Sequence, residues 1–222
     1  MKDIEPVAIF HSPFSSKFGI PRQSGLVEEL RGRIVLEPAY RDPNALRGID
    51  GFDYLWLIWG FSANKKYNTK SMTVRPPRLG GNERIGVFAS RSPYRPNGLG
   101  LSSVKLVDID KGDIIVSGAD LMDGTPIYDI KPYLPYVDSH PEARGGFTEQ
   151  RHWKSLNVLI PEKFTGKFTE RQIKELREVL ALDPRPHYQD DPDRIYGMPF
   201  NGKDIHFKVE DDTLTVTGIV NL

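Results

Sequence analysis

The feature that most constrains the fold of this chain is a series of short apolar runs with no helix-forming segment between them. The runs are rich in β-branched and aromatic residues, and turn-forming pairs such as Pro76-Pro77 and Asp123-Gly124 separate them. Because no amphipathic helix connects successive runs, the pattern disfavours a parallel, doubly wound sheet. It predicts an antiparallel β-barrel or sandwich, with strands at 7–10, 32–36, 52–61, 85–88, 101–107, 114–118 and 127–133.

The predicted strand at 52–61 has an unusual centre. Its residues Leu55-Trp56-Leu57-Ile58-Trp59 are all apolar and show no alternation. A continuous apolar run of this length is typical of a strand that is buried on both faces. We therefore expect both faces of this strand to lie inside the protein.

The C-terminal part of the chain has a different pattern. Residues 137–151 are polar and aperiodic, which indicates a linker or a long loop. The segment Thr169-Glu170-Arg171-Gln172 matches a helix capping box, and apolar residues at helical spacing continue to a helix end near Leu182. Alternating apolar residues on both sides of Asp211-Asp212 predict a hairpin. The sequence thus predicts a β unit at 1–140, a linker at 141–152 and a small α+β unit at 153–222.

Composition argues against several classes of protein. The chain has no cysteine, which rules out disulfides, thiolate metal sites and cysteine nucleophiles. Its longest apolar run, 55–61, is too short to cross a bilayer, and its first residues lack the pattern of a signal peptide. The five histidines are not at metal-ligand spacing, and the chain has no Gly-rich phosphate loop. We therefore expect a cytoplasmic protein with no metal site and no membrane contact.

Charge is unevenly distributed although the net charge is zero, with 30 basic and 30 acidic residues. Between Asn64 and Arg95 the only acidic residue is Glu83. The basic residues of this segment, called the basic stripe below, are Lys65, Lys66, Lys70, Arg75, Arg78, Arg84, Arg91 and Arg95. Such a stripe is suited to binding phosphate groups. The alternative is a solvated loop whose charges pair with acids elsewhere, and charge alone does not decide between the two.

Two stretches rich in proline and glycine have the most unusual local composition. The first is RPPRLGGNERIGVFASRSPYRPNGLGLSS, from Arg75 to Ser103, and the second is DLMDGTPIYDIKPYLPY, from Asp120 to Tyr136. Proline and glycine at this density fix irregular backbone, and irregular loops on a rigid scaffold are common locations for binding sites. The alternative is that they are only stiff turns.

These stretches resemble the TrmO (formerly YaeB) family, the tRNA N(6)-threonylcarbamoyladenosine methyltransferases. The resemblance begins with HSPFSSKFGIPRQSGL (His11 to Leu26) and continues through LRGIDGFDYLWLIWGF, VRPPRLGGNERIGVFASRSPYRPN and SGADLMDGTPIYDIKPYLPY. Further along, VLALDPRPHYQDDPDRIYGMPF (Val179 to Phe200) resembles the C-terminal domain of the family. The matching blocks extend over nearly the whole chain.

The resemblance implies a single antiparallel β-barrel as the N-terminal domain, in place of a Rossmann methyltransferase domain. It implies S-adenosylmethionine as the cofactor, held near a homodimer interface. The implied reaction adds a methyl group to the exocyclic nitrogen of N(6)-threonylcarbamoyladenosine at tRNA position 37. With tRNA as the partner, the basic stripe and the C-terminal unit become candidates for contacts with the anticodon stem-loop.

The cofactor positions of the family fall on several separate segments of this chain. They are Arg22, Gln23 and Ser24, then Phe61 and Ser62, then Arg91 and Leu101, which flank the S-P-Y-R-P-N loop, and finally Asp123, Gly124 and Thr125 in the D-G-T turn.

For catalysis, the resemblance points to Asp129, Lys131 and Tyr133 of the D-I-K-P-Y motif. We hypothesise that Asp129 orients or accepts the proton of the acceptor nitrogen. Lys131 would bind the carboxylate of the substrate and Tyr133 would position the base, since aromatic rings commonly hold unstacked bases of RNA loops. The alternative is that Asp129 and Lys131 only pair with each other along a strand.

Two departures from the family pattern stand out. Ser62 occupies the position of the usual family histidine, and Asn97-Gly98-Leu99-Gly100 replaces the usual N-P-I-G. Both affect affinity or substrate detail more than the class of reaction. They keep open the alternative of a methyltransferase of the same family that acts on a different substrate. A separate alternative is a tRNA-binding barrel without catalytic activity.

Overall fold

The computed structural model describes residues 4–64, 72–76, 83–150, 154–185, 191 and 193–222. The strands in its N-terminal part are β1 (Ala8–His11), β2 (Arg31–Leu36), β3 (Tyr54–Gly60), β4 (Thr73–Val74), β5 (Ile85–Gly86), β6 (Leu99–Asp110), β7 (Asp113–Ser117) and β8 (Thr125–Pro132). Short 3-10 turns between them lie at Pro38–Tyr40, Pro43–Leu46, Ile49–Gly51, Val87–Ala89 and Pro96–Gly98.

Six of these strands are hydrogen-bonded in the cyclic order β1-β2-β7-β6-β3-β8. Every pairing is antiparallel, and β1 pairs with both β2 and β8, so the ladder returns to the strand where it starts. The short strands β4 and β5 pair separately as a two-stranded ribbon. The mainly β, antiparallel character predicted from the sequence is confirmed. The predicted strand at 85–88 is shorter than expected, because a 3-10 turn follows directly after Gly86.

The side chains of β3 alternate between the two faces of the sheet. Leu55 and Leu57 are fully buried in the interior core, whereas Tyr54 is 43% exposed on the outer face. Trp56 and Ile58 share that outer face and are only partly buried. The prediction that β3 is buried on both faces is therefore wrong. Its outer face is apolar for another reason, because it lines a cavity that loops partly cover.

The segment between the two sheets is more structured than the predicted loop at 137–151. It contains a short helix, α1 (Pro135–Asp138), and a 3-10 turn at Gly146–Gln150. The carboxylate of Asp138 accepts a hydrogen bond from Leu134 N at 2.8 Å and so fixes the start of α1. Because α1 buries no residue, hydrophobic periodicity could not reveal it.

The C-terminal unit contains a second sheet and one longer helix. Its elements are β9 (Asn157–Leu159), α2 (Glu162–Thr165), α3 (Glu170–Ala181), β10 (Tyr196–Phe200), β11 (Lys203–Glu210) and β12 (Thr213–Asn221). The strand order is β10-β11-β12-β9, with β9 parallel to β12 and the other pairs antiparallel. The predicted hairpin is confirmed as β11 and β12.

The capping box predicted from the sequence starts α3. Thr169 Oγ1 accepts a hydrogen bond from Gln172 N at 3.3 Å, and Gln172 Oε1 accepts one from Thr169 N at 3.0 Å. These two bonds satisfy backbone N–H groups that the helix itself leaves unpaired. The buried apolar residues of α3 pack against the second sheet: Leu176, Val179 and Leu180.

Residues 12–30 join β1 to β2, and we call them the connecting loop. Part of this loop lies in the core of the C-terminal unit rather than in the core of the sheet from which it emerges. The ring of Phe14 packs edge-on against Phe200 with centroids 5.6 Å apart. Asn201 N donates a hydrogen bond to Pro13 O at 2.9 Å. The residues of the loop that are buried in this core are Phe14, Val27 and Leu30.

A buried carboxylate lies where α3 meets β2. Glu175 is 2% exposed, and its Oε1 accepts a hydrogen bond from Arg31 N at 3.4 Å. Arg171 Nε is 3.7 Å from the same oxygen. Burial raises the pKa of Glu175 because the charged form loses hydration, and the charge of Arg171 opposes this shift. Ionised Glu175 therefore favours the unfolded chain, where it is hydrated.

The variant Glu175→Gln tests this effect. Relative to the variant, we expect the free energy of unfolding of the wild-type protein to fall as the pH rises above 4.5, the ordinary value for Glu. In this range the unfolded chain has released a proton that the folded protein still holds, so rising pH favours unfolding until the raised pKa is passed. Denaturant titrations of both proteins over this pH range measure the difference.

The control for this experiment is Glu170→Gln, which removes one carboxylate at an exposed position of the same helix. Wild-type and Glu175→Gln curves that run parallel across the pH range would contradict the effect of burial on Glu175.

Candidate functional site

A cavity of about 970 Å³ lies on the outer face of β3 and β6. The cross-strand pairs Ile58–Leu101 and Trp56–Ser103 form its base. Two loops form its walls, the middle of the connecting loop and the segment around Arg91. Charged, polar and aromatic residues that line it include Lys17, Arg22, Gln23, Ser24, Tyr54, Phe61, Ser62, Arg91, Arg95, Asp120, Thr125, Tyr133 and Asp138.

Hydrogen bonds hold the connecting loop against the cavity. Gly25 N donates to Gly118 O at 2.8 Å. Arg91 Nη1 donates to Gln23 Oε1 at 2.5 Å, which joins the two walls across the opening. The backbone N–H of Ser24 is a further donor, to the carboxylate of Asp120. The segment 22–24 is thus fixed from three sides before any ligand binds.

The second wall is a proline-rich loop that its own side chains organise. Ser90 Oγ accepts a hydrogen bond from Ser92 N at 3.3 Å, and Arg95 Nη1 donates to Ser90 O at 3.0 Å. Asn97 and Gly98 then adopt left-handed backbone conformations, with φ of 66° and 58°. This turn leads directly into β6, where Leu101 faces the cavity with 57% of its surface exposed.

A chain of hydrogen bonds crosses the sheet from its core to the cavity. Trp59 Nε1 donates to Ser102 Oγ at 2.9 Å, and Ser102 Oγ donates to Asp120 Oδ1 at 2.5 Å. Both Trp59 and Ser102 are buried. Loss of hydration raises the pKa of Asp120, although Ser102 and the charge of Arg91 act in the opposite direction.

The opposite end of the cavity is aromatic. The rings of Trp56 and Tyr133 have centroids 5.5 Å apart, and those of Tyr54 and Tyr133 are 6.2 Å apart. Trp56 Nε1 donates to Asp138 Oδ2 at 2.9 Å. Donation from the backbone N–H of Leu134, and then from this indole, lowers the pKa of Asp138. The two carboxylates that line the cavity are therefore in different electrostatic environments.

Eight of the ten cofactor positions suggested by the resemblance line this one cavity: Arg22, Gln23, Ser24, Phe61, Ser62, Arg91, Leu101 and Thr125. The other two, Asp123 and Gly124, are not among the residues that line it. Asp123 Oδ1 instead accepts hydrogen bonds from His11 Nδ1 at 3.0 Å and Ser12 N at 3.2 Å. These bonds attach the D-G-T turn to the end of β1.

The three suggested catalytic residues are divided in the same way. Tyr133 lines the cavity, but Asp129 and Lys131 do not, and their side chains form an ion pair of 2.7 Å along β8. The register places Asp129 opposite Ile58 and Lys131 opposite Trp56, both of which line the cavity. Asp129 and Lys131 therefore lie at the edge of the site, one strand away from its base.

Sequence reasoning missed three residues that line the cavity, Trp56, Asp120 and Asp138, and also Ser102, which holds Asp120. Trp56 was assigned to the core because its run is apolar. Ser102 lacks the sequence context of a nucleophile, and its role depends on Trp59 and Asp120, which are distant in the sequence. Asp120 opens the second proline- and glycine-rich stretch, so its position in that stretch was the one available signal.

The described residues contain four of the eight residues of the basic stripe: Arg75, Arg84, Arg91 and Arg95. Lys65, Lys66, Lys70 and Arg78 lie outside the described residues. Arg91 and Arg95 line the cavity, and Arg84 Nη1 donates to Thr73 Oγ1 at 3.2 Å within the ribbon of β4 and β5.

In the described part of the chain, no three His, Cys, Asp or Glu side chains are grouped so that they could hold a metal ion. No helix in the described ranges has the length and apolarity needed to span a bilayer.

This fold and site define a mainly β protein with a cavity on the outside of its sheet whose lining suits a small polar organic ligand. Guanidinium groups, two carboxylates and aromatic rings converge there, which suits a ligand with both charged and ring-shaped parts. Comparison with family models identifies the group. The tRNA-methyltransferase O N-terminal domain matches residues 9–139, and the TrmO C-terminal domain matches residues 154–222. The chain belongs to the TrmO family.

Individual relatives agree with this assignment. An Escherichia coli K12 protein named tRNA (adenine(37)-N6)-methyltransferase is 37% identical over 219 residues, which cover 93% of each chain. The Pseudomonas aeruginosa protein RcsF, whose name describes a proposed S-adenosylmethionine-dependent methyltransferase, is 36% identical over 211 residues, 92% of this chain and 91% of the relative. The crystal structure of TrmO from Pseudomonas aeruginosa matches all of both chains with a TM-score of 0.81 and 30% identity.

Two glycines allow the packing of the connecting loop to be tested. Gly19 has a φ of 90°, and a Cβ added there would lie 2.3 Å from Met198 Sδ in the second sheet. Gly48 has a similar φ of 83°, but a Cβ added there would meet nothing within 4 Å. The pair therefore separates backbone strain from steric contact with the C-terminal unit.

We expect Gly19→Ala to lower the free energy of unfolding more than Gly48→Ala. Both variants force a side chain into a left-handed conformation, at a cost of about 1–2 kcal/mol. Only Gly19→Ala also overpacks the core against Met198, which typically costs about 1–3 kcal/mol more. Urea titrations of the two variants provide the comparison. Equal destabilisation would show that the connecting loop moves away from Met198 at no measurable cost.

Proposed function

We propose that this protein uses S-adenosylmethionine to methylate the exocyclic nitrogen of adenosine 37 in tRNA. We further propose that the base it accepts is already modified, as N(6)-threonylcarbamoyladenosine. The observation that carries the proposal is the convergence of Arg22–Ser24, Phe61–Ser62, Arg91 and Leu101 on one cavity in a chain of the TrmO family. These segments are distant in the sequence, so their meeting is a property of the fold.

The chemistry of the cavity fits this cofactor. S-adenosylmethionine has an adenine ring, ribose hydroxyls, a carboxylate and positive charges on its amino group and sulfur. The cavity supplies guanidinium groups from Arg22 and Arg91 for the carboxylate, and the ring of Phe61 for stacking. The side-chain oxygen of Gln23 provides an acceptor for hydroxyl or ammonium groups. Each part of the ligand therefore has a complementary partner among the lining residues.

When bound, the cofactor supplies a methyl group on a positively charged sulfur, which an in-line displacement transfers. The residues of the chain contribute mainly position, because holding a nucleophile and a reactive carbon in line is itself a large part of such catalysis. The bonds from Gly25, Ser24 and Arg91 fix the cofactor wall in advance. The aromatic end, with Trp56 and Tyr133, offers ring surfaces for an unstacked adenine.

The acceptor nitrogen carries a carbonyl substituent that withdraws its lone pair, so loss of its proton favours transfer. Asp129 is the proposed acceptor or orienting group for that proton, and Lys131 the proposed partner of the threonyl carboxylate. Their ion pair of 2.7 Å is the resting arrangement, with 44% and 60% of the two side chains exposed. A substrate carboxylate that competes for Lys131 would free Asp129 for the proton. Tyr133 is the proposed residue that orients the base.

We propose that three segments of the chain have different roles. Residues 1–140 bind the cofactor and carry the chemistry, 141–152 form a linker, and 153–222 help to hold the anticodon stem-loop of the tRNA. Arg91 and Arg95 of the basic stripe lie at the cavity, where a phosphate near the acceptor base would pass.

The proposed working form is a cytoplasmic homodimer. Exposed apolar side chains beside the cavity support a second copy there: Leu101, Tyr136 and Val137.

A second candidate is methylation of a different substrate by the same fold. The observation in its favour is the loop before β6, where Gly98 has a φ of 58°. The proline that the family usually has at this position cannot adopt that conformation. The wall of the cavity close to Ser62 therefore has a backbone conformation in this chain that proline at the same position would exclude.

The proposed reaction is tested with tRNA that contains N(6)-threonylcarbamoyladenosine, incubated with the protein and S-adenosylmethionine labelled on its methyl group. We expect mass spectrometry of the nucleosides to find the label on that base and on no nucleoside of tRNA that lacks the modification. Label on another nucleoside would favour the second candidate. Binding of tRNA without any transfer would indicate a non-catalytic RNA-binding protein.

The roles of Asp129 and Arg91 are separated by kinetics. We expect Asp129→Asn to lower kcat by roughly 10²–10⁴-fold, the usual contribution of a general base, and to leave the affinity for S-adenosylmethionine intact. We expect Arg91→Ala to weaken that affinity, because it removes a guanidinium from the cavity and releases Gln23. Single-turnover rates and calorimetry measure the two effects. Normal turnover of Asp129→Asn would show that its ion pair with Lys131 is only structural.

A further inference from the structure

Asp120 and Asp138 both line the cavity, but loss of hydration dominates the electrostatics only at Asp120. Asp138 accepts from Leu134 N and Trp56 Nε1, and these bonds lower its pKa. Asp120 accepts from Ser102 Oγ, from Ser24 N and from its own backbone N–H, yet loss of hydration still raises its pKa. The donors of Asp120 therefore do not fully replace the water that its carboxylate has lost.

Arg91 is the cation whose charge acts on Asp120, but its hydrogen bond goes to a different side chain. Arg91 lowers the pKa of Asp120 by its charge, but its Nη1 donates to Gln23 Oε1 at 2.5 Å. A carboxylate in this position is stabilised by any ligand that brings a positive charge into the cavity.

The carboxylate of Asp120 is also held rigidly. Its neighbours Ala119 and Leu121 are buried in the interior core, which anchors the backbone on both sides. Ser102, itself fixed by Trp59, holds Oδ1 from the sheet, and Ser24 holds the carboxylate from the connecting loop. A fixed negative charge at a known place in a ligand cavity stabilises a positive charge without the cost of reorganisation.

We propose that Asp120 is the counter-charge for the sulfonium of S-adenosylmethionine and makes the cavity prefer the methylated donor over the demethylated product. This inference rests on the proposed function for the identity of the ligand. The sulfur of the donor is positively charged, and that of S-adenosylhomocysteine is neutral, whereas both ligands share the same amino group, carboxylate and nucleoside. A carboxylate beside the sulfur therefore distinguishes the two, and a carboxylate beside the shared amino group does not.

The test is calorimetric titration of wild-type protein and Asp120→Asn with three ligands, without any turnover. They are S-adenosylmethionine, S-adenosylhomocysteine and sinefungin, which has a protonated amine in place of the sulfonium methyl. The asparagine amide has the shape of the carboxylate and keeps an oxygen that can accept from Ser102, so the variant removes charge with little change of shape. We expect its affinities for the two cationic ligands to fall about tenfold more than its affinity for S-adenosylhomocysteine, the size of one partly screened charge pair.

Two matched variants separate charge from structure. Asp138→Asn removes the other carboxylate of the cavity, and Ser102→Ala removes a hydrogen-bond donor to Asp120 but keeps its charge. We expect both to leave the ratio of the affinities for donor and product within about twofold of the wild-type ratio, even where they lower thermal stability, because neither changes the charge at Asp120. Asp120→Glu, which keeps the charge, should retain the preference for the donor.

Equal weakening of all three ligands by Asp120→Asn, or no weakening, would overturn the assignment and leave Asp120 as a structural acceptor. If Asp120→Asn does not fold, Asp120→Ser is the second neutral variant, and the same ratio decides. A wild-type protein that binds none of the three ligands would overturn the proposed cofactor itself, which is a distinct result from binding without preference.

Discussion

The pairing of β3 with neighbours on both edges is the constraint on which the rest of this structure depends. Its hydrogen bonds to β6 and β8 fix the register, and the register decides which side chains face inward. Leu55 and Leu57 fill the core, while Trp56 and Ile58 form the base of the cavity. A shift of one residue would exchange these two sets and remove both the core and the site.

Polar contacts connect the two faces of this sheet. The bonds from Trp59 to Ser102 and from Ser102 to Asp120 begin in the core and end at the cavity. Ser24 then joins the same carboxylate from the connecting loop. The position of the loop wall is therefore coupled to the packing of the core, and the site is rigid although much of it is built from irregular backbone. Buried networks of this kind hold a single arrangement when every member has a partner.

Local sequence signals predicted the parts of the fold that local physics determines. The capping box at Thr169 and the alternation in β11 and β12 depend on neighbours within a few residues, and both were found as expected. The apolar run in β3 misled because burial in a core and exposure to a ligand cavity require the same residue types. Periodicity could not have separated the two, since the loops that cover the outer face come from elsewhere in the chain.

The same limit applies to the candidate site. Resemblance along the sequence predicted some of its residues, and contacts between distant segments determine the others. Resemblance located Arg22, Arg91 and Thr125, which the fold brings to one cavity. It gave no sign of Asp120 and Ser102, whose roles come from contacts between strands and loops that are far apart in the sequence. It also grouped Asp123 with the cavity, whereas the structure attaches this side chain to His11 and Ser12.

The connecting loop makes the packing of the two units of this chain interdependent. Its residues Phe14, Val27 and Leu30 lie in the second core, although the loop starts and ends in the first sheet. An exchange of C-terminal units between relatives would therefore leave apolar side chains of the recipient without their partners. A functional chimera of this protein needs three junctions, one on each side of residues 12–30 and one before the C-terminal unit, so that the loop is transplanted together with the unit against which it packs.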